Sequence, residues 1–279
     1  MKFIDYETVK SAVRELTISA VYDLDEDVIK RLEEGRNKEQ VPLSKLIIQE
    51  ILENAEIARI KRIPICQDTG IVVVFLEIGN RVHFDFLIDD AIHEGVKSAY
   101  ADEKFRMSVV AHPLDRKNTF SNTPCIIHTK LVKGDQLKIT VCPKGAGSEN
   151  LSQTKMLIPS DGMEGVIQFV IDSVKRAGGK VCPPMIVGVG IGGNFEQCTL
   201  LSKEAILRPI EDQSSDSIAA QLEKTLLEKI NQLDIGPMGI GGMTTALAVK
   251  VNVAPCHIAA LPVAVNFQCH ASRHKGVTL

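Results

Sequence analysis

The chain has 279 residues, a net charge of -3, 44% hydrophobic residues and 24% charged residues, which suits a globular protein with a substantial core. Tryptophan is absent, aromatic residues make up only 4% and no basic block occurs, so a nucleic-acid partner is not indicated. The N-terminus does not resemble a secretory signal, and no apolar run is long enough to span a bilayer. Composition therefore predicts a cytoplasmic protein with no membrane partner.

The first quarter of the chain is predicted to be helical. Asp5 or Thr8 can cap an opening helix, and apolar residues recur at helical spacing within 25–35 and 45–60. The β-branched run at 71–78 then predicts a buried strand, and the alternating residues at 82–87 predict a strand beside it.

The remaining pattern mixes strands and helices. Helices are predicted at 89–100, 162–177 and 217–233, and strands at 125–131, 137–141, 185–189, 244–253 and 259–265. The strands at 125–131 and 137–141 are separated by Lys133-Gly134-Asp135 and predict a hairpin. Regular βαβ alternation and linker-like stretches are absent. The pattern predicts one α+β domain over residues 1–279, with a helical N-terminal region followed by a mixed β-sheet with packed helices.

The seven cysteines include no CxxC pair, which disfavours a zinc ribbon, and disulfides are uncommon in a cytosolic setting. The segment Pro64-Ile65-Cys66-Gln67-Asp68-Thr69-Gly70 joins a thiol for a soft metal to a carboxylate for proton transfer. Cys182 is followed by two prolines that stiffen the chain, and Cys269 is followed by His270. For each cysteine alone, a structural thiol remains an open interpretation, and for Cys182 and Cys269 it is the favoured one.

Three glycine-rich segments, at 144–150, 188–193 and 236–245, could cradle a carboxylate with backbone amides and suggest one shared pocket. Tight turns are the alternative for each. None is a true GxGxxG motif and no Walker lysine follows in register, so a nucleotide-binding module is disfavoured. Arg106 can grip a carboxylate, and His257 can orient or protonate a substrate.

Together these segments resemble the class I, iron–sulfur-dependent fumarate hydratases and L-tartrate dehydratases, specifically their alpha-type subunit. The motifs occur in the family's order over nearly the whole chain. They are Pro64-Ile65-Cys66-Gln67-Asp68-Thr69-Gly70, Arg106-Met107-Ser108-Val109-Val110, Lys144-Gly145-Ala146-Gly147-Ser148-Glu149-Asn150, Cys182-Pro183-Pro184, Gly190-Ile191-Gly192-Gly193, Gly236-Pro237-Met238-Gly239-Ile240-Gly241-Gly242, and the end segment around His257 and Cys269.

The resemblance implies a [4Fe–4S] cluster held by Cys66, Cys182 and Cys269. Three ligands leave one iron open, and an open metal position can bind and polarise a substrate. The resemblance further implies that Asp68 and His257 are catalytic. It also implies that a dicarboxylate substrate is bound by residues from a second set, namely Gln67, Arg106, Gly145 and Gly147.

The implied reaction is the reversible hydration of fumarate to (S)-malate by a hydro-lyase. Dehydration of L-tartrate to oxaloacetate is the close alternative. A non-catalytic iron–sulfur or zinc-binding scaffold with a closed four-ligand site is an alternative of another class. Single-chain members of the family continue into a second domain, whereas this chain ends ten residues after Cys269. The resemblance therefore implies a separate beta subunit that completes the active site, in a hetero-oligomer such as α2β2.

Overall fold

The computed structural model describes all residues from 1 to 279. The helices are α1 (Tyr6–Tyr22), α2 (Glu26–Lys38), α3 (Pro42–Lys61), α4 (Ile88–Asp102), α5 (Ala146–Glu149), α6 (Gly162–Ala177), α7 (Phe195–Ala205) and α8 (Ser217–Asn231). The strands are β1 (Lys2–Phe3), β2 (Ile71–Gly79), β3 (Val82–His83), β4 (Ile126–Val132), β5 (Leu137–Lys144), β6 (Gln153–Leu157), β7 (Met185–Gly193), β8 (Ala246–Cys256), β9 (Leu261–Gln268) and β10 (Lys275–Thr278). The predicted α+β class is confirmed. None of the helices combines the length and apolarity needed to cross a membrane.

The chain divides into two compact units. Unit 1 comprises Met1–Leu24, Ala55–Ala146 and Arg273–Leu279, and unit 2 comprises Asp25–Asn54 and Gly147–Ser272. The prediction of one domain over residues 1–279 stays a prediction, since a single domain can contain two such units.

Unit 1 is built around a four-stranded mixed sheet in the order β10-β5-β2-β4. β2 runs parallel to β4 and antiparallel to β5, and β5 runs antiparallel to β10. Buried residues of β2 and β5 pack with apolar residues of α1 and α4 in one hydrophobic core. As predicted, Asp5 caps α1, where its carboxylate accepts a hydrogen bond from the Thr8 backbone N–H at 2.8 Å.

The strand register of unit 1 gathers several connections at one end of the sheet. Ile71, which begins β2, pairs with Lys144, which ends β5. β10 begins at Lys275, opposite Val141 of β5. Residues just before β2, just after β5 and just before β10 therefore lie at the same end, which we call the Asp68 end.

Unit 2 holds a second four-stranded mixed sheet, in the order β6-β9-β7-β8. β7 runs parallel to β8 and antiparallel to β9, and the buried valines of these strands pack with α6 and α8. β7 and β8 begin at the end of the sheet where β9 finishes, which we call the cysteine end. The opposite end, where β8 turns into β9, is called the far end.

Two predictions about strand pairing are wrong. The strands at 125–131 and 137–141 do not form a hairpin, because β2 lies between them and pairs with both. Of residues 82–87, only Val82–His83 is a strand, and it pairs with β1 instead of β2. Five elements that the pattern did not indicate, β1, α5, β6, α7 and β10, complete the fold.

Candidate active site

Asp68 is fixed in place by two backbone hydrogen bonds. Its Oδ1 accepts from the Gly70 N–H at 3.0 Å, and its Oδ2 accepts from the Ala146 N–H at 2.8 Å. Asp68 and Cys66 are half-buried, Gln67 between them in sequence is exposed, and Thr69 and Gly70 after them are buried. Each carboxylate oxygen keeps a second lone pair. Asp68 is therefore an immobilised group that can still accept a proton or a hydrogen bond.

The turn after Asp68 is held by buried groups. Tyr100 donates its hydroxyl to the Thr69 carbonyl oxygen at 2.6 Å, and burial raises the pKa of that hydroxyl, so it remains a donor at neutral pH. Gly70 has φ +81, and a Cβ there would come within 2.6 Å of the Lys144 carbonyl oxygen. Only glycine tolerates both conditions, so the turn and the end of β5 can meet closely.

Arg106 is tied to this turn through its main chain. Its carbonyl oxygen accepts a hydrogen bond from the Thr69 hydroxyl at 2.5 Å, while the side chain is exposed. Buried Asn122 joins the same segments, since it donates to the Gly70 carbonyl oxygen at 3.1 Å and accepts from the Ser108 N–H at 2.7 Å. Asn122 carries no motif in the sequence, so its role could not be predicted.

The two candidate glycines lie in different surroundings. Gly145 lies at the Asp68 end, where a Cβ would be 3.2 Å from Asp68 Oδ2 and 3.1 Å from Arg273 Nη2. Gly147 belongs to unit 2, and a Cβ there would meet only the Lys180 carbonyl oxygen at 4.0 Å. Gly145 is thus the glycine that the fold brings to Asp68.

Cys182 and Cys269 lie together at the cysteine end of unit 2. Cys182 precedes β7 and Cys269 follows β9, and Ile186 pairs with Gln268 across these strands. The His270 N–H donates to the Cys182 carbonyl oxygen at 3.3 Å, and His270 Nδ1 lies 2.9 Å from the same oxygen. Cys182 adopts φ 57 and ψ 64, a left-handed conformation that non-glycine residues rarely take outside functional or strained sites.

Exposure separates the seven cysteines into groups. Cys66, Cys182 and Cys269 are half-buried, whereas Cys125, Cys142 and Cys198 are buried in the cores and Cys256 is exposed. Burial raises the pKa of the Cys125 thiol to about 12, which makes it an inert core residue. Cys125 and Cys142 are therefore core thiols.

His257 lies at the far end of unit 2. It is exposed in the turn between β8 and β9, while Cys182 and Cys269 occupy the cysteine end. The nine residues of β7 separate the two ends, which corresponds to roughly 25 Å. His257 instead lines an apolar groove of about 420 Å³ with residues such as Met163 and Ile218. The fold of one chain does not bring His257 to the two cysteines.

The other two glycine-rich segments are occupied by the protein itself. In β7, a Cβ at Gly188 or Gly190 would come within 2.2 or 2.0 Å of backbone oxygens of α7, so these glycines permit close packing of the helix on the sheet. In the segment at 236–245, the N–H groups of Met243 and Thr244 donate to Glu39 Oε2 at 2.9 and 3.2 Å. A pocket shared by all three glycine loops is therefore not supported.

The half-buried thiols do not form a site for a single metal ion. No group of three or more His, Cys, Asp or Glu side chains is close enough to hold a single metal ion. A four-iron cluster binds each thiolate at a different iron, so its ligands do not converge on one point. Half-buried cysteines, two of which share one end of a sheet, suit such a cluster in donor chemistry.

Comparison with known proteins extends over almost the entire chain. A family model described as fumarate hydratase (fumerase) matches residues 10–278. The putative L(+)-tartrate dehydratase subunit alpha of Methanocaldococcus jannaschii is 45% identical over 272 residues, which covers 95% of each chain. The L(+)-tartrate dehydratase subunit alpha of Escherichia coli K12 is 32% identical over 251 residues, covering 89% of this chain and 83% of the relative. The chain therefore belongs to the fumarate hydratase (fumerase) family of hydro-lyases.

Proposed function

We propose that the chain is the alpha subunit of an iron–sulfur hydro-lyase that adds water reversibly to fumarate, giving (S)-malate. The observation that carries the proposal is the Asp68 end of unit 1, where an immobilised carboxylate, a glycine and the main chain beside an exposed arginine come together. A chain of this family with such a site has both a proton acceptor and a carboxylate-binding side chain.

Cys66, Cys182 and Cys269 are the proposed ligands of a [4Fe–4S] cluster. The support is their shared half-buried state and the joint position of Cys182 and Cys269 at the cysteine end of unit 2. When bound, such a cluster with three protein ligands supplies an open iron that acts as a Lewis acid on the substrate hydroxyl.

Asp68 is the proposed base. In the dehydration direction it takes the proton from the carbon next to the hydroxyl-bearing carbon, and in hydration it returns that proton. The Gly70 and Ala146 amides hold the carboxylate in one orientation, so no rearrangement of this side chain precedes proton transfer.

Arg106 and Gln67 are the proposed side-chain contacts to the dicarboxylate, since both are exposed beside Asp68 or its turn. A guanidinium pairs with a carboxylate through two parallel hydrogen bonds. Between the two glycine candidates we propose Gly145, because it lies next to Asp68 Oδ2.

A catalytic role for His257 requires a second copy of the chain in the assembly. Within its own chain it lies at the opposite end of the unit 2 sheet from Cys182 and Cys269. An α2β2 complex contains such a second copy, so the proposal for His257 stands only together with that assembly.

The partner is proposed to be a beta subunit. The relatives from Methanocaldococcus jannaschii and Escherichia coli are both named as alpha subunits. The reaction also needs it, because two substrate carboxylates require more cationic groups than Arg106 supplies.

L-Tartrate is the second candidate substrate, since these same relatives are named tartrate dehydratases. Loss of water from L-tartrate gives oxaloacetate after the enol tautomerises. (S)-Malate and L-tartrate are both four-carbon 2-hydroxydicarboxylates, so their dehydration places the same demands on Asp68 and Arg106.

Anaerobic co-expression with the beta subunit, followed by assays with (S)-malate, fumarate and L-tartrate, tests the proposal. We expect turnover of at least one of these substrates by the complex and little by the alpha chain alone, with the higher kcat/KM on (S)-malate and fumarate. A higher kcat/KM on L-tartrate would replace the first candidate by the second. A cluster whose spectrum ignores all three substrates, in a complex without turnover, would favour the scaffold alternative.

A further inference from the structure

Arg273 is a buried cation that the proposed function does not use. It lies four residues after Cys269 and just before β10, and it is only 2% exposed. A fully buried arginine is uncommon because removing its charge from water is costly unless partners compensate. Its surroundings therefore deserve a chemical explanation.

The guanidinium of Arg273 lies against Asp68. Nη1 donates a hydrogen bond to the Asp68 carbonyl oxygen at 2.6 Å. Nη2 lies 3.1 Å from the point that a Cβ of Gly145 would occupy, and Asp68 Oδ2 lies 3.2 Å from that same point. A Cβ at position 145 would require these groups to shift by a few tenths of an ångström. Gly145 thus leaves room for the arginine beside the carboxylate.

One donor of the Arg273 guanidinium points to a role beyond stability. Its Nε is buried and has no hydrogen-bond acceptor. An unsatisfied buried donor destabilises a fold, so an arginine in this position is not an optimised structural residue. It is also too buried to be a substrate clamp, in contrast to exposed Arg106.

We infer that Arg273 is a positioning residue that fixes the catalytic direction of Asp68. The backbone N–H groups of Gly70 and Ala146 hold the two carboxylate oxygens, and Arg273 holds the carbonyl oxygen of the same residue. Main chain and side chain of Asp68 are thereby each held by hydrogen bonds. This inference rests on the proposed role of Asp68 as the base.

The first test is steady-state kinetics of the assembled alpha–beta complex. We expect Arg273→Met to lower kcat roughly 10- to 100-fold with KM changed less than about threefold, because a misdirected base slows proton transfer more than binding. Arg273→Lys keeps the charge without the planar fork and should recover part of the loss. The exposed Arg81→Met in the same unit, where Arg81 pairs with Asp135, serves as the control with unchanged kinetics.

A double variant separates positioning from general support of the fold. If Arg273 acts through Asp68, Arg273→Met should cause no further loss in an Asp68→Asn background. Losses that multiply in the double variant, or unchanged kcat in both Arg273 variants, would overturn the inference.

Hydrogen exchange of the complex supplies a readout that does not depend on turnover. In Arg273→Met we expect the Gly70 and Ala146 amides to exchange roughly tenfold faster, while the β5 core amides, such as Ile139, keep their protection. Unchanged exchange at both amides would contradict the inference. A wild-type complex that turns over no dicarboxylate would refute the proposed function alone, because the exchange result would still report whether Arg273 fixes Asp68.

Discussion

The two sheets of the molecule have the same plan and different contents. In each, a central strand, β2 or β7, has one parallel and one antiparallel neighbour, so the start of that strand meets the finish of the antiparallel one. Unit 1 places the Asp68 carboxylate, Cys66 and an exposed arginine in or beside these connections, whereas unit 2 places two cysteines and no carboxylate of the proposed site there. The comparison shows that strand direction decides where chemistry can gather, and that the connecting residues decide which chemistry it is.

The two ends also differ in how their backbone amides are used. At the Asp68 end, two amides hold the proposed base itself. In unit 2, the Glu39 carboxylate accepts hydrogen bonds from the Met243 and Thr244 amides and thereby fixes the glycine-rich segment at 236–245. We therefore expect substitutions of Asp68 and Arg106 in unit 1 to alter the reaction, and substitutions of Cys182, Cys269 and Glu39 in unit 2 to alter cluster content or stability.

The largest effect is expected at the cysteine end. Cys182→Ser and Cys269→Ser should each reduce bound iron and sulfide strongly and abolish activity, because serine oxygen is a harder ligand than the thiolate that an iron–sulfur cluster needs. Iron and sulfide quantitation on anaerobically purified protein measures this. Cys256→Ser, which alters an exposed cysteine at the far end, is the matched control and should keep a full cluster. Full cluster content in both ligand variants would remove the proposed ligand set.

Asp68→Asn should leave the cluster in place and lower kcat by about 10²- to 10⁴-fold, which is the usual contribution of a positioned general base. The amide has nearly the same shape as the carboxylate, so KM should change little. Its NH₂ group replaces an oxygen that accepts from a backbone N–H, so the free energy of unfolding should fall by about 1–3 kcal/mol. Steady-state kinetics of the complex together with iron content measure both parts. Asp135→Asn, at an exposed turn of the same unit, is the control. A variant that retains full kcat would exclude Asp68 as the base.

Arg106→Lys should raise KM about 10- to 100-fold, with a smaller change in kcat. Lysine keeps the charge but loses the bidentate geometry that a carboxylate uses. The comparison variant Arg59→Lys lies on the exposed surface of unit 1, where Arg59 pairs with Glu56, and should be silent. If KM for both candidate substrates stays unchanged in Arg106→Lys, this side chain does not clamp the dicarboxylate.

Much of the fold could be predicted from the sequence because it follows from local patterns. A continuous β-branched run predicts the strand at 71–78, and apolar residues at helical spacing predict the helices at 162–177 and 217–233. The structure places all three elements at nearly those residues. The supposed hairpin of β4 and β5 failed because nothing local in the sequence shows that β2 lies between them. β6 was missed because an edge strand of five residues, only one of them buried, has little apolar pattern.

The candidate site was predictable only where a motif carries it. Asp68 and Gly145 lie 77 positions apart in sequence, and the resemblance to a family, not their spacing, joined them. Arg273 lies beside His274 and Lys275 near the C-terminus, and the burial of an arginine in such a basic segment cannot be inferred from its neighbours in sequence. In the 236–245 segment, the glycines predict a ligand pocket that the structure does not support. Its amides donate to Glu39, which lies some 200 positions away in sequence and could not be foreseen.

The smallest effect is expected for a substitution of Glu39, which tests whether this residue holds the amides of the glycine-rich segment. Glu39→Gln replaces one carboxylate oxygen by an NH₂ group that faces backbone donors, so it should lower the free energy of unfolding by about 1–3 kcal/mol. Urea denaturation should show a lower midpoint at an unchanged m-value. Glu34→Gln, at a more exposed position of α2, should stay within about 0.5 kcal/mol of the wild type. If Glu39→Gln instead raised KM more than tenfold at unchanged stability, the glycine-rich segment would be a substrate contact, and the contrast between the two sheets would have to be abandoned.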